Sequence, residues 1–175
     1  MHVDIVLLQR VEVVVVMEIQ TQAAHMLGVT AHLARAWTAQ HARSLLMDLG
    51  ERAGRFKFLI RDRDSTFTEA VDEVVAGTGL QVIKTPVRSP WANSFAGRSV
   101  GTLRRERLHH VLILGEWRLR RVLAEHARHY NGHRPHQSLQ QRPRLHEPGH
   151  VIDITARIER RRLIGGLISE YRTAA

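Results

Sequence analysis

The sequence predicts an α/β fold, a mixed sheet with helices packed on its faces. Three observations carry this expectation. Two valine-rich runs and a shorter apolar run come first, before any helical pattern. Two more short apolar runs then alternate with stretches of helical spacing. A pair of helices follows, ahead of a polar, arginine-rich tail.

Residues 3–8 and 11–19 read as strands, with Gln9-Arg10 between them as a turn or bulge. The second run, with four consecutive valines at 13–16, is too β-branched for a helix. A third strand covers 25–30, so the three form an antiparallel meander. The period then changes. Leu33, Trp37, Ala42, Leu45, Leu46 and Leu49 fall near helical spacing, ended by Gly50 or Gly54. Residues 56–60 are a fourth strand, 66–76 an amphipathic helix stopped at Gly77-Thr78-Gly79, and 80–84 a fifth strand. Pro86 and Pro90 mark a loop, and Asn93-Ser94 caps a helix running to about His110. A further helix spans 117–130, with Leu119, Val122, Leu123, His126 and Tyr130 on one face. Residues 131–148 are polar and proline-rich, and a weak last helix is expected over 155–170, interrupted by Gly165-Gly166. The order β-β-β-α-β-α-β-α-α is that of the ribonuclease-H-like fold: a five-stranded mixed sheet with helices on both faces. Residues 1–145 form the core and 146–175 a basic C-terminal tail, partly helical.

With 175 residues the chain can bury a real core without staples. It has no cysteine, so disulfides, thiolate metal sites and cysteine nucleophiles are excluded. No apolar run approaches a membrane span of about 20 residues, and the N-terminus does not read as a signal peptide. A cytoplasmic protein without a membrane partner is expected. Of the 26 basic residues only Lys57 and Lys84 are lysine; the rest are arginine. Residues 1–87 carry nine basic and ten acidic groups, whereas 88–175 carry 17 and seven. A neutral half joined to a strongly basic one is the footprint of a polyanion-binding face, and arginine's planar fork suits phosphate.

Asp4 lies in an otherwise apolar strand, and Asp62 directly follows the fourth strand. If the first and fourth strands are neighbours, the two carboxylates come together, and a divalent cation relieves their repulsion. Asp4 reads equally well as an exposed edge position, and Asp62 as a turn or cap aspartate beside Asp64 and Ser65.

Four ordered motifs add to this. Phe58-Leu59-Ile60-Arg61-Asp62-Arg63-Asp64-Ser65-Thr66-Phe67, Lys84-Thr85-Pro86-Val87-Arg88-Ser89-Pro90-Trp91-Ala92-Asn93-Ser94-Phe95-Ala96 and Gly101-Thr102-Leu103-Arg104-Arg105-Glu106 come in turn. Tyr130-Asn131-Gly132-His133-Arg134-Pro135-His136-Gln137-Ser138-Leu139 follows. Together, over about residues 2–145, the chain resembles the integrase-core transposases of bacterial insertion sequences, of the retroviral-integrase type. The resemblance implies DNA integration and transposition by metal-dependent phosphoryl transfer, with Mg2+ or Mn2+ held by three acids. Asp4 and Asp62 match the first two acids. It also implies DNA as partner, both element ends and target, and a homo-oligomer. Arg88, Arg98, Arg104, Arg105, Arg134 and His136 are the expected DNA contacts.

The chain departs from that pattern at the third acid. The segment reads Ala96-Gly97-Arg98-Ser99, with glycine at the position of the family's glutamate, 35 residues after Asp62. No residue three, four or seven positions away is acidic, and Glu106 falls on the far side of the helix. An impaired copy, or a non-catalytic DNA-binding or oligomerising remnant, is the expectation. The histidines at 126, 129, 133 and 136 are expected to serve packing or DNA rather than zinc. Trp37 and Trp117 are expected in the core, and the arginine runs 104–105, 118–121 and 160–162 read as solvated faces or as phosphate contacts.

Overall fold

The valine run after Arg10 becomes the central strand of a three-stranded antiparallel sheet, ordered β1-β2-β3. Its strands are β1 (His2–Asp4), β2 (Arg10–Met17) and β3 (Ala24–Thr30). The computed structural model describes residues 1–6, 9–63, 69–87, 94–145, 155 and 157–173. Val3 faces Val11, and Val13 faces Val29, so branched side chains pack on the pleat. The β2–β3 register shifts between Val14 and Val15.

The helix α1 (Arg35–Leu49) ends at Gly50, whose φ of 51° is open to glycine at no steric cost. It crosses β3 at Gly28. Trp37 stacks on His41 with ring centroids 3.8 Å apart, and a Cβ at Gly28 would lie 2.6 Å from the tryptophan ring. Only glycine lets the helix approach this closely. Strand β4 (Phe58–Arg61) and strand β5 (Gln81–Lys84) pair in parallel, and between them lies α2 (Glu69–Ala76). Val71 and Val75 of α2 bury against Ala39 and Ala42 of α1, forming a small second core with Leu80.

The helices α3 (Ser94–Glu106) and α4 (Glu116–Gly132) close the main core. Leu103, Leu119, Val122 and Leu123 pack on Val3, Val11, Val13 and Val29. Val29 and Gly28 are adjacent in β3 and point to opposite faces, so α3 and α4 cover one face of the sheet and α1 the other. Helices on both faces are thus as expected from the sequence.

Two expectations are corrected. Among the described residues the five strands do not make one sheet: β4 and β5 form a separate pair, and β1 pairs as a strand with β2 alone. The physical reason lies on the outer edge of β1. There, Arg104 of α3 donates to the His2 carbonyl at 2.9 Å, and Val6 just beyond β1 donates its N–H to Ile113 at 2.9 Å. These groups occupy positions that a fourth strand would need. The weak helix expected over 155–170 is not formed among the described residues either. The tail there forms a hairpin of β6 (Ile158–Leu163) and β7 (Ile168–Thr173). Gly165 and Gly166, at φ 65° and 95°, turn the chain between the strands, the glycine-pair signal of a tight hairpin. Leu163, Ile164 and Ile168 belong to the main core cluster.

Candidate functional site

The two aspartates fall on different sheets. Asp4, at the end of β1, is 65% exposed at its side chain and pairs with Arg10 Nε at 3.2 Å. Asp62 is exposed immediately after β4, and its backbone carbonyl accepts from Arg61 Nη1 at 3.0 Å. Arg61 is itself buried and grips Asp72 of α2 with both prongs, while Arg63 Nε reaches the Thr85 carbonyl at 3.0 Å. The chain around Asp62 is therefore braced from both sides. This brace is invisible in the sequence, although the spacing from 61 to 72 holds both partners.

Gly97 lies on the exposed side of α3, and a Cβ there would meet nothing within 4 Å among the described residues. Gly101 and Arg104 follow one and two turns later on the same stripe, and Arg104 is the residue that touches β1. A longer side chain at position 97 thus has room on the side of α3 that reaches the first strand. Glu106 does not replace it. Arg134 forks onto both of its carboxylate oxygens, Nη2 to Oε1 at 2.7 Å and Nη1 to Oε2. Burial works to raise the Glu106 carboxyl, but the Arg134 hydrogen bonds and charge outweigh it and hold the group below its usual range.

Oxygen ligands from carboxylates suit Mg2+ or Mn2+. Two exposed aspartates on separate sheets do not by themselves complete a two-ion centre. Among the described residues no group of three or more His, Asp or Glu could hold a metal ion.

The expected DNA contacts divide. Arg98, Arg104 and Arg105 are exposed on α3, which carries no carboxylate before Glu106. Arg98 lies 4.9 Å from the Phe95 ring centroid. Arg134 and His136 have internal work instead. His136 is buried, its Nε2 sits 3.2 Å from the Tyr130 carbonyl oxygen, and its ring meets Tyr130 edge-on. Arg88, with Asp64, Pro90, Trp91 and Asn93, lies outside the described residues.

The Tyr130–Leu139 motif proves to be a fastener. The Asn131 side chain donates to the Ala24 carbonyl and accepts from the Ala24 N–H, both at 2.9 Å, tying α4 to the start of β3. His126 is fully buried, and neither ring nitrogen has a hydrogen-bond partner among the described residues. Burial, reinforced by the Arg107 charge, pushes its pKa down to about 4. Trp117, expected in the core, is exposed at the first turn of α4 with Arg121 near its ring. A 470 Å³ cleft between β3, α1 and α4 is lined by His25, His41, Arg52 and Arg120 among others, and Asp4, Asp62 and Gly97 are not part of its wall. No helix among the described residues is long and apolar enough to cross a membrane.

Comparison with known proteins accords with this architecture. Residues 78–143, spanning β5 to beyond α4, match the sequence model described as integrase core domain. A search of curated proteins gives no match. The fold is similar to a chain of the structure described as the simian T-cell lymphotropic virus intasome in complex with PP2A regulatory subunit B56 gamma, with TM-score 0.63 and 13% identity. The match covers 98% of this chain and 63% of that one, so this chain spans less than two thirds of its structural counterpart. Residues 78–143 are therefore similar to an integrase core domain, and the chain shares its fold with that intasome chain.

Proposed function

We propose that the chain is a DNA-handling integrase or transposase core, of the insertion-sequence type, whose own strand-transfer chemistry is disabled. The observation that carries this reading is Gly97: exposed, unobstructed among the described residues and inside the matched integrase segment, at the place where a third carboxylate is needed. Asp4 and Asp62 supply the two remaining carboxylates, and Glu106 is spent on Arg134. The basic side of α3, with Arg98, Arg104 and Arg105, is intact and offers phosphate contacts that position DNA without reading its sequence. Arg134 and His136 support that surface from inside rather than touching DNA. The reading as a non-catalytic DNA-binding remnant is favoured over a weak enzyme by the Asp4–Arg10 pair, which neutralises one of the two acids.

Supercoiled plasmid with Mg2+ or Mn2+ tests the proposal. The chain is expected to bind the plasmid and leave it supercoiled. Metal-dependent nicking by the unmodified chain, abolished by Asp62→Ala, would show that Gly97 is no lesion.

A further inference from the structure

The β6–β7 hairpin sorts its charges by face. Alternation along the strands puts Ile158, Arg160 and Arg162 on one side, with Ser169 and Tyr171 opposite them, and Glu159, Arg161, Leu163, Ile168, Glu170 and Arg172 on the other. The second side is docked. Leu163 and Ile168 enter the main core, and buried Glu170 bonds to His129 Nδ1 of α4 at 3.1 Å. Glu125 Oε2 accepts from the Ile164 N–H at 3.1 Å, fixing the turn as well. Both carboxylates of the hairpin therefore lie on the docked side. The outward side carries two exposed arginines, no acid, and a Tyr171 that is 65% exposed. Such a surface presents two cations, and among the described residues neither is in a salt bridge.

We propose that this outward face, Arg160, Arg162 and Tyr171, binds the phosphate backbone of duplex DNA. Arg160 and Arg162, two positions apart, stand about 6.7 Å from each other along the strand. Phosphates of one DNA strand advance about 3.4 Å each along the duplex axis and further along the helical path of the strand, so the spacing suits neighbouring phosphates. Arg160 Nε donates to Ser169 Oγ at 2.9 Å, which orients the fork and does not use its terminal nitrogens. Tyr171 sits directly across from Arg160 and adds a hydroxyl donor with little rotamer freedom to lose. Because the hairpin is anchored on α4, binding orders no loose segment. The proposal rests on the reading of the chain as a DNA-handling core and adds a second surface, separate from α3.

The test uses the full chain and a labelled 30-base-pair duplex, with affinity followed against salt. Arg160→Gln with Arg162→Gln is expected to weaken binding about tenfold at low salt and to reduce the salt slope by about two. Arg161→Gln with Arg172→Gln removes the same net charge from the docked side and should keep most of the slope. Tyr171→Ala should weaken binding about threefold without moving the slope, since it removes no charge. Equal losses in the two double variants would mean that only net charge matters and would overturn the surface. So would an unchanged slope in the first double variant, or arginine-dependent binding to phosphatidylserine vesicles without binding to DNA. Failure of the unmodified chain to bind DNA is a separate result, and it sinks the functional reading itself. All four arginines are exposed, so matching melting curves would show that the comparison is between folded proteins.

Discussion

Arg61 grips Asp72 with two prongs, Nε to Oδ1 at 2.8 Å and Nη2 to Oδ2 at 2.7 Å, while its third nitrogen holds the Asp62 carbonyl. One guanidinium thus joins β4, α2 and the chain at the second acidic position. Its fork is nearly filled, which makes a buried arginine tolerable. Asp72→Asn would leave that charge short of a partner, at a cost of roughly 3 kcal/mol in stability. The Arg61 hydrogen bond lowers the Asp72 carboxyl below its ordinary 3.8. A lowered folded pKa means a contribution fully present above pH 3.8 and lost as pH falls through the folded value. Urea titrations carried below pH 3.8 should therefore show, beyond the losses both proteins share, an extra acid loss in the unmodified chain that the Asn variant lacks.

His126 gives a second pH effect in the same direction, at higher pH. Its neutral ring is buried beside Arg107, Glu106, Arg134 and His129, and its pKa falls from 6.5 to about 4. The sign follows: the unfolded ring takes up a proton below 6.5 that the folded ring resists until about 4. Stability falls across that window, by about 3 kcal/mol at its foot. His129 and His136, also lowered chiefly by burial, act in the same direction. Since neither nitrogen of His126 is bonded among the described residues, His126→Leu removes an unmet polar group and should add about 1 kcal/mol at pH 7. Denaturation at pH 7 and pH 5 should show the gap between the two proteins widening in acid. A variant less stable at both would mean that the ring has a partner.

Asn131 closes an amide pair with Ala24 across 107 residues of chain. Asn131→Ala leaves the first N–H and C=O of β3 unmet, and about 2 kcal/mol of stability should go with them. Hydrogen exchange offers the sharper check: the Ala24 amide should lose protection while the Val13 amide in mid-sheet keeps it.

Much of this fold is legible in the sequence because it is local. The valines of β2, the apolar stripe of α4 and the α2 positions Val71 and Val75 follow from strand and helix periods, and their burial matches. What periods cannot show is competition for an edge. Nothing near Asp4 says that Arg104 and Ile113 will occupy the outer side of β1, and so the split sheet escapes the sequence. The hairpin escapes for another reason: 158–170 has helix-compatible arginines and leucines, and the deciding signal is the turn at Gly165-Gly166. Motif resemblance locates Arg134 and His136 but says nothing of their partners. Glu106 and the Tyr130 carbonyl turn both inward. Gly97 is the reverse case, where an absent side chain is plain in the sequence and the structure adds only that the space is open.

That openness has a consequence for stability. Gly97 sits inside an exposed stretch of α3 with a helical backbone. Gly97→Ala should raise stability by about 1 kcal/mol, from the helix propensity alone. A loss instead would mean that a neighbour crowds the position.

The central claim is that the carboxylate missing at Gly97 is what disables the chain. The Asp4–Arg10 pair is exposed and weak, and it leaves Asp4 able to join Asp62 around a metal ion once a third acid is present. Nicking of supercoiled plasmid in Mn2+ by Gly97→Glu, beside the unmodified chain and Gly97→Glu with Asp62→Ala, addresses it most directly. The account predicts nicking by Gly97→Glu alone, with both other proteins silent. Equal nicking by the unmodified chain and Gly97→Glu would contradict it, as would a Gly97→Glu protein that folds, binds the plasmid and leaves it intact.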